Sequence, residues 1–371
     1  MTHDTTAAKG QDCEDRRWMA RALEQARLGL GLTAPNPPVG AVVVADGELL
    51  GEGHHRRVGG PHAEVAALAD VRRRLGAVEA ARRLAGATVY VTLEPCSSHG
   101  RTPPCTGAIR EAGLGTVVYA STDPTPANAG KADAVLAAAG VAVRAGVLQE
   151  DGDRLLAPWF KWVRSGLPWV IAKAGLSLDG RLTRPPGESP WITSEAARTD
   201  AMGLRVRADA ILIGGQTLRT DDPQLTLRGD QVPPDKVQPW RVIWSRRTDW
   251  DEAEKARFKA FSDDHRQRTR LLHAPDWNGV LQELGQLGVT TLLVEGGGQV
   301  LGQAFAAQGV DEVCFYLAPR ICGGGVPVVG GLDFMPGAAS CGLTDVQWTV
   351  LDGGNVRVMG KAESGRLKTE D

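Results

Sequence analysis

The stretch His62-Ala63-Glu64, followed by Pro95-Cys96 and then by Cys105, decides how the first half of this chain folds and what it binds. It supplies one imidazole and two thiols that can ligate a metal, and one carboxylate that need not. Three protein ligands around zinc leave a fourth position for water, and bound zinc lowers the pKa of that water to about 7. We therefore predict a zinc site with ligands His62, Cys96 and Cys105, and with Glu64 as general acid and base.

The spacing is that of zinc-dependent nucleobase deaminases, H-x-E…P-C-x-x-C, except that the gap between the cysteines is longer. The gap reads Pro95-Cys96-Ser97-Ser98-His99-Gly100-Arg101-Thr102-Pro103-Pro104-Cys105, and we interpret it as the mark of a subfamily. A structural zinc site or two buried cysteines are the alternatives. A structural site usually has four protein ligands, however, and Glu64 would have no purpose in one.

Helix starts are expected to position the ligands. We predict a helix over residues 62–75, a strand over 88–93, and a second helix opening at Pro95. A helix start there would place N–H groups and the positive end of the helix dipole beside Cys96, which favours the thiolate.

Size and composition narrow the class of protein. A chain of 371 residues predicts two domains. A net charge of −2 argues against a nucleic-acid partner held by bulk charge. We expect no membrane span and no signal peptide, because no apolar stretch is long enough. The six cysteines are too few for a disulfide framework, so a reducing, cytoplasmic setting fits.

Strands and helices alternate along the whole chain, which predicts an α/β protein. In the first half we expect helices over residues 15–31 and 128–139 and strands over 39–45, 49–53, 116–121 and 141–143. In the second half we expect strands over 169–176, 210–214, 241–244, 291–295 and 311–317, and helices over 194–207 and 298–308. The segment 155–168 resembles a junction packed by Trp159 and Trp162, and 246–270 a solvated surface excursion without chemistry.

Two glycine turns in the second half follow apolar strands. Glu295-Gly296-Gly297-Gly298 opens a predicted helix, and Gly214-Gly215 follows Ile211-Leu212-Ile213. Backbone N–H groups at such turns can approach a phosphate, but neither turn is a G-x-G-x-x-G. One such turn alone is more often only a tight turn, whereas two together favour cofactor binding.

Lys173 lies on a strand that we predict to be largely buried, so it needs a partner or a ligand. It faces either a bound cofactor or sugar, or an ion pair with Asp179, and the sequence does not choose between them.

Longer motifs identify a family. The chain resembles the bifunctional riboflavin-biosynthesis deaminase/reductases, the RibD family, over about residues 15–360. The first-half motifs are Pro35-Asn36-Pro37-Pro38-Val39-Gly40, Gly53-His54-His55, His62-Ala63-Glu64-Val65 and Thr92-Leu93-Glu94-Pro95-Cys96 through to Cys105. The second-half motifs are Lys173-Ala174-Gly175-Leu176-Ser177-Leu178-Asp179-Gly180, Gly187-Glu188-Ser189-Pro190-Trp191-Ile192-Thr193-Ser194, Asp221-Asp222-Pro223-Gln224-Leu225-Thr226 and Val294-Glu295-Gly296-Gly297.

The resemblance implies an architecture and two reactions. It implies a cytidine-deaminase-like, three-layer α/β/α domain over residues 12–150, a junction over 151–168, and a dihydrofolate-reductase-like α/β domain over 169–362. The first would use Zn²⁺ to hydrolyse the 2-amino group of 2,5-diamino-6-(5-phosphoribosylamino)pyrimidin-4-one. The second would use NADPH to reduce the ribosyl side chain to ribityl. The partner is thus a small pyrimidine ribosyl phosphate, and a homo-oligomer is expected.

The resemblance also implies roles for individual residues. In the first site, Asn36, His55 and Arg101 would contact the substrate. In the second, the NADPH site would comprise Gly175, Trp191, Thr217, Asp221, Gly297, Gly298, Gln299, Val300, Leu301, Gly302 and Gln303. The substrate would be held by Ser189, Arg205, Leu225, Arg228 and Glu295, with Arg205 and Arg228 forked onto its phosphate. Lys173 and Asp179 would be catalytic.

The chain departs from the family pattern at Ser98, where a histidine is expected, and at Thr125 and Ala132 in the segment Asp123-Pro124-Thr125-Pro126…Gly130-Lys131-Ala132. These positions lie where the ribose and phosphate would be held. Other possible functions are therefore a deaminase/reductase of a related pyrimidine phosphate, a deaminase of another nucleobase, and a homologue that only binds, or whose reductase half is inactive.

Overall fold

The computed structural model describes residues 4–99, 103–189, 191–262, 264–332 and 340–363. The chain divides into two compact units, Met1–Arg164 and Ser165–Asp371. Among the described residues, every helix is too short or too polar to traverse a bilayer.

The first unit is built on one five-stranded sheet with the order β2-β1-β3-β4-β5. Strand β1 is antiparallel to β2 and to β3, while β3, β4 and β5 run parallel. The elements are α1 (Asp4–Arg27), β1 (Gly40–Ala45), β2 (Glu48–His54), α2 (Ala63–Leu75), α3 (Ala77–Leu84), β3 (Thr88–Leu93), α4 (Cys105–Glu111), β4 (Thr116–Ser121), α5 (Lys131–Ala138), β5 (Ala142–Ala145) and α6 (Gln149–Ser165).

Helices cover both faces of this sheet, which confirms the predicted three layers. Because side chains alternate along a strand, Val43 and Val42 of β1 point to opposite faces. Val43 belongs to the core under α2, with Ala67 and Leu68. Val42 belongs to the core under α1, with Met19 and Leu23.

The segment expected to be a junction is mostly helical. Residues 149–165 form α6 and accommodate Pro158 within the helix. Trp159 packs with Phe160 and Leu156 against Leu93 of β3 in the first unit. The aromatic residues are therefore the buried face of an amphipathic helix.

The second unit is built on an eight-stranded sheet with the order β12-β13-β11-β6-β10-β7-β8-β9. The six strands from β11 to β9 in this order are parallel, and β13 and β12 add an antiparallel edge. The elements are β6 (Trp169–Ser177), α7 (Glu195–Arg207), β7 (Ala210–Gly214), α8 (Gly215–Asp221), β8 (Trp240–Trp244), α9 (Glu252–Lys255), α10 (Lys259–Ser262), β9 (Thr269–Leu272), α11 (Trp277–Gln286), β10 (Thr291–Gly296), α12 (Gly298–Ala306), β11 (Glu312–Ala318), β12 (Leu343–Leu351) and β13 (Asn355–Ala362).

The segment 246–270, predicted to be a solvated surface excursion, is mostly exposed, but it is more structured than expected. This segment contains α9, α10, a 3-10 turn at Arg266–Arg268 and the start of β9. Trp250 and Ala260 are buried in the core with Ile243 of β8. The dense charge of the segment concealed two residues that anchor it to the sheet.

Candidate active sites

The three predicted metal ligands form one cluster in the first unit. His62 Nδ1 lies 3.2 Å from Cys105 Sγ and 3.6 Å from Cys96 Sγ. Ligand atoms from all three residues lie within 4.8 Å of one another. His62 immediately precedes α2, and Cys105 is the first residue of α4. One imidazole and two sulfurs at such separations fit a tetrahedral zinc ion with a fourth position left for water.

Cys96 does not lie at a helix start, and that prediction is wrong. It occupies an irregular segment between β3 and α4. The next helix begins only after Pro104, whose φ of −63° suits the residue preceding α4. The first N–H group of α4, from Cys105, nevertheless donates to Cys96 Sγ at 3.3 Å. The expected support from a helix N-terminus is therefore supplied by α4.

The two thiols are unequal. A hydrogen bond from the Cys105 thiol, aided by His62 and the Cys105 N–H, lowers the pKa of Cys96 to about 4 against the opposing effect of burial. The same hydrogen bond, together with burial, raises the pKa of Cys105 well above its usual value. Metal binding requires both sulfurs as thiolates, so it should release a proton from Cys105.

Glu64 lies in the first turn of α2 and is only 4% exposed. Burial raises the pKa of its carboxyl group, with a further contribution from the Cys96 charge and an opposing one from His62. A buried carboxyl group whose pKa is raised holds its proton more readily than an exposed one, which suits general acid–base catalysis.

Two of the predicted substrate contacts adjoin this cluster. Asn36 Nδ2 lies 3.1 Å from His55 Nε2, and His55 Nδ1 lies 2.9 Å from the carbonyl oxygen of Pro61. The His55 ring meets the His62 ring edge-on, with 5.6 Å between centroids. Burial lowers the pKa of His55, so the ring is neutral, with its proton on Nδ1 facing Pro61. Arg101 lies outside the described residues.

The second unit contains a cavity of about 2140 Å³ at the carboxyl ends of its parallel strands. Ligands of open α/β sheets bind at this edge. Sixteen of the residues predicted for this unit line it: Lys173, Gly175, Ser189, Trp191, Arg205, Thr217, Asp221, Leu225, Arg228, Glu295, Gly297, Gly298, Gln299, Val300, Leu301 and Gln303.

The glycine turn after β10 is built for close approach of a ligand. Gly297 has φ of +79°, a conformation that favours glycine, and it immediately precedes α12. A Cβ on Gly297 would lie 3.0 Å from Thr217 Oγ1. The predicted cofactor residues Gly297 and Thr217 are thus neighbours beside a helix N-terminus, which suits a phosphate group.

Gly302 does not line the cavity. A Cβ at this position would lie 2.0 Å from the carbonyl oxygen of Gly330. It is glycine because α12 packs tightly against the chain at that point, and the structure gives it no direct role in cofactor binding.

Lys173, Glu295 and Arg205 form a charged group on the cavity wall. Glu295 is almost fully buried, and Lys173 Nζ lies 4.0 Å from its Oε2. The alternative pairing of Lys173 with Asp179 is wrong. Burial would raise the pKa of Glu295, but Arg205 and then Lys173 hold it at about 2. The carboxylate is therefore ionised between two cations.

Asp179, predicted to be catalytic, is not among the residues that line the cavity. Its carboxylate accepts hydrogen bonds from Ser177 Oγ at 2.6 Å, Cys322 N at 3.0 Å and Gly323 N at 2.7 Å. These bonds, the one from Ser177 above all, lower its pKa to about 2. Asp179 ties the turn after β6 to the loop after β11, which is a structural task.

Sequence reasoning missed the contribution of β8. Ser245, Arg246 and Arg247 follow this strand and line the cavity. A Cβ on Gly215 would lie 3.0 Å from Ser245 Oγ, so the turn after β7 and the end of β8 meet closely. The available signal was position: residues just after a central parallel strand reach the ligand edge of the sheet.

Comparison with known families agrees with both sites. Residues 13–121 match the cytidine and deoxycytidylate deaminase zinc-binding region, and residues 168–356 match the RibD C-terminal domain. The first match contains His62, Glu64, Cys96 and Cys105, and the second contains the lining of the cavity.

Full-length relatives cover both units together. The riboflavin biosynthesis protein RibD of Escherichia coli (strain K12) is 37% identical over 335 residues, which is 84% of this chain and 89% of that protein. The protein of the same name from Mycobacterium tuberculosis (strain H37Rv) is 41% identical over 316 residues, 84% and 87% of the two chains.

Solved structures of similar proteins also span both units. Acinetobacter baumannii RibD has a TM-score of 0.84 and 33% identity, covering 95% of this chain and 99% of its own. The diaminohydroxyphosphoribosylaminopyrimidine deaminase/5-amino-6-(5-phosphoribosylamino)uracil reductase of Thermotoga maritima has a TM-score of 0.82 and 31% identity, with the same coverage. With a deaminase zinc-binding region in one unit and a reductase fold in the other, the chain belongs to the RibD family of bifunctional riboflavin-biosynthesis enzymes.

Proposed function

We propose that the first unit hydrolyses the 2-amino group of 2,5-diamino-6-(5-phosphoribosylamino)pyrimidin-4-one to give the corresponding uracil and ammonia. Zinc held by His62, Cys96 and Cys105 would supply a polarised water as the nucleophile. Glu64 takes the proton of that water and delivers it to the departing amine. The raised pKa of its buried carboxyl group supports both directions of transfer.

Asn36 and His55 hold the pyrimidine next to Glu64 in this proposal. His55 is kept neutral, and Asn36 is oriented by the ring nitrogen that it contacts. The pair therefore offers polar groups of fixed direction to a planar base. Arg101 is retained as a predicted substrate contact on the resemblance alone.

The second unit, we propose, reduces the ribosyl side chain of the deaminated product to ribityl with NADPH. Lys173 lines the cavity with Nζ 4.0 Å from Glu295 Oε2. It would donate a proton to the sugar oxygen, and bound NADPH would supply the hydride. Arg228 is exposed at the cavity and is the better placed guanidinium for the substrate phosphate. Arg205 is largely occupied by Glu295.

The part of the cavity at the carboxyl end of β8 favours NADPH over NADH. Ser245 and Arg246 lie there with Arg219 and Arg247. The guanidinium groups there could bind the 2′-phosphate that distinguishes the two cofactors. The glycine turn at Gly297 would receive the pyrophosphate.

One observation carries the proposal: three zinc-type ligands and a buried, non-ligating carboxyl group meet in one cluster. The experiment is mass spectrometry of the products formed from the diaminopyrimidinone ribosyl phosphate by zinc-loaded protein. Deaminated product is expected without NADPH, and deaminated and reduced product with it. Cys96→Ser should abolish the first step and leave reduction of supplied uracil intermediate intact.

Failure of the zinc-loaded protein to deaminate would overturn the substrate assignment. A related pyrimidine phosphate is then the second candidate. It is favoured by Ser98 and Thr125, whose side chains are engaged with Asn128 and Asp123. Deamination without reduction would instead leave the second unit as a cofactor-binding homologue of the reductases.

The setting completes the proposal. Cys96 and Cys105 are free thiols, which suits a reducing compartment such as the cytoplasm.

A homo-oligomer also remains a prediction. It is supported by the exposed apolar side chains Val346, Trp348 and Val350 on the edge strand β12, and light scattering of wild-type protein and Trp348→Glu would test it.

A further inference from the structure

The segment that carries Cys96 has no helix of its own, so something else must hold this ligand in place. On one side, Thr106 of α4 donates to the carbonyl oxygen of Cys96, from N at 3.3 Å and from Oγ1 at 3.4 Å. On the other side, the turn Cys96-Ser97-Ser98 faces the loop that follows β4. An amide side chain of this loop contacts the turn.

That side chain is Asn128. Its Oδ1 accepts hydrogen bonds from Ser97 N at 3.2 Å, Ser98 N at 3.2 Å and Ser98 Oγ at 2.8 Å. Its Nδ2 donates to Asp123 Oδ2 at 3.0 Å and to Thr125 Oγ1 at 3.3 Å. One end of the amide therefore binds the ligand turn, and the other end binds the loop after β4.

The loop itself is anchored to the sheet. Asp123 Oδ1 accepts from Thr125 N at 2.8 Å and Oγ1 at 2.6 Å. The buried carboxylate of Glu94 accepts from three backbone N–H groups, those of Asp123, Gly130 and Ala132, each at 3.1 Å. Glu94 lies only two residues before Cys96. The hydrogen bonds from Asn128 through the loop to Glu94 therefore end close to the ligand.

We propose that Asn128 is a positioning residue for the Cys96 ligand, and that it sets how tightly the first unit retains zinc. The amide serves as both acceptor and donor, a combination that neither a carboxylate nor a hydroxyl of similar size reproduces here. Groups that orient a metal ligand from behind typically change metal affinity about 10–100-fold when removed. This inference rests on the proposed zinc ligands.

The test is the rate of zinc release from the full-length protein into excess chromogenic chelator. Asn128→Ala should release zinc about 10–100-fold faster than wild type. Asn128→Asp should also release faster, because it loses both donated bonds and places a second carboxylate against Asp123. Ser98→Ala, which removes one of three bonds to Oδ1, should have a smaller effect.

Lys131→Ala is the matched control. Lys131 Nζ binds the carbonyl oxygens of Pro126 and Ala127 in the same loop and does not touch the Cys96 turn. Its zinc release should stay within about twofold of wild type. The cobalt-substituted proteins give a second measurement, since Asn128 variants should alter the thiolate-to-cobalt absorption and Lys131→Ala should not.

Two outcomes would contradict this inference, and zinc content and release rates distinguish them. If wild-type protein holds no zinc, the proposed ligand set fails and this inference with it. If wild type holds zinc but Asn128→Ala and Ser98→Ala release it no faster than Lys131→Ala, only the role of Asn128 is overturned. Because Ser98→Ala leaves the loop anchors intact, it decides the question even if Asn128→Ala does not fold.

Discussion

The guanidinium of Arg205 and the carboxylate of Glu295 form a two-pronged ion pair in the second unit. Nε lies 2.6 Å from Oε1, and Nη2 lies 2.7 Å from Oε2. Nη1 also donates to the carbonyl oxygen of Thr226 at 3.2 Å. Three of the five N–H groups of Arg205 are thereby used, which revises the expectation that it forks onto a phosphate. Its main task is to keep Glu295 charged and in place.

Arg205 and Arg228 should consequently behave differently when truncated. Arg205→Ala leaves the buried carboxylate of Glu295 with only the more distant Lys173 as a cationic partner. Breaking a buried ion pair typically costs about 3–5 kcal/mol, so reduction should be lost and the second unit should melt earlier. Arg228→Ala should mainly raise KM for the phosphorylated substrate. Steady-state reduction and calorimetry check both variants. Deamination should survive in each, and an equal loss of both activities in Arg205→Ala would count against separate sites.

The stability of the second unit should fall in acid through Glu295. Its pKa is depressed from 4.5 in the unfolded chain to about 2 by Arg205 and Lys173, against the opposing effect of burial. A depressed carboxyl pKa contributes stability that is fully present above the unfolded value and is lost as pH falls through the folded one. Unfolding followed from pH 6 to about 2 should therefore show wild type losing stability below about 4.5.

Glu295→Gln provides the comparison for this pH dependence. It removes the titrating group while preserving size, so its stability should change less than that of wild type between the same pH values. Identical pH profiles for the two proteins would show that another group is responsible.

Lys173 and Asp179 were both predicted to be catalytic, and the structure separates them. Lys173→Met should reduce turnover of the reductase by at least about 10²-fold, the range of a lost acid–base group, with little change in NADPH binding measured by fluorescence. Asp179→Asn retains the shape of the turn and should cost only a few-fold in turnover. A larger loss in Asp179→Asn than in Lys173→Met would restore Asp179 to the catalytic group.

Glu64→Gln tests the proton transfer in the first unit. The amide cannot accept the proton of the attacking water, so ammonia release should fall about 10²–10⁴-fold. Zinc content measured by elemental analysis should not change, because Glu64 is not one of the clustered ligands. Full turnover by a zinc-loaded Glu64→Gln protein would remove Glu64 from the mechanism.

What the sequence could predict follows from how each element is stabilised. Strands β6, β7 and β10 are central and parallel, so each is a mainly apolar run. Their predicted ends lie within one residue of the observed ends. The ligand set was predictable because metal chemistry limits the residue types and their spacing. The position of Cys96 was not, since it depends on Asn128, a residue that lies 30 positions from Ser98 in sequence.

Other elements were hidden by composition. The boundary between the units, Arg164/Ser165, falls inside the segment predicted as a junction. Its helical form was not predicted, because Trp159, Phe160 and Pro158 occur together, although the aromatic residues form the buried face of α6. Strand β12 was missed although Val346, Trp348 and Val350 alternate with polar residues along it, because the strand is largely exposed and has no buried apolar run. The sequence could not show that Arg205 pairs with Glu295, because Glu295 comes close to it only when β10 packs beside α7.

The last prediction concerns the neutral ring of His55. Asn36→Asp would place a carboxylate 3.1 Å from Nε2 in the position of the amide, and the added negative charge should raise the pKa of His55, which burial now lowers. As pH falls, the ring should then become protonated at a higher pH than in wild type. In the pH profile of deamination, the fall in rate on the acidic side should therefore move to higher pH. Asn36→Ser should weaken substrate binding without moving it. An unshifted acidic limb in Asn36→Asp would mean that the protonation state of His55 does not govern deamination.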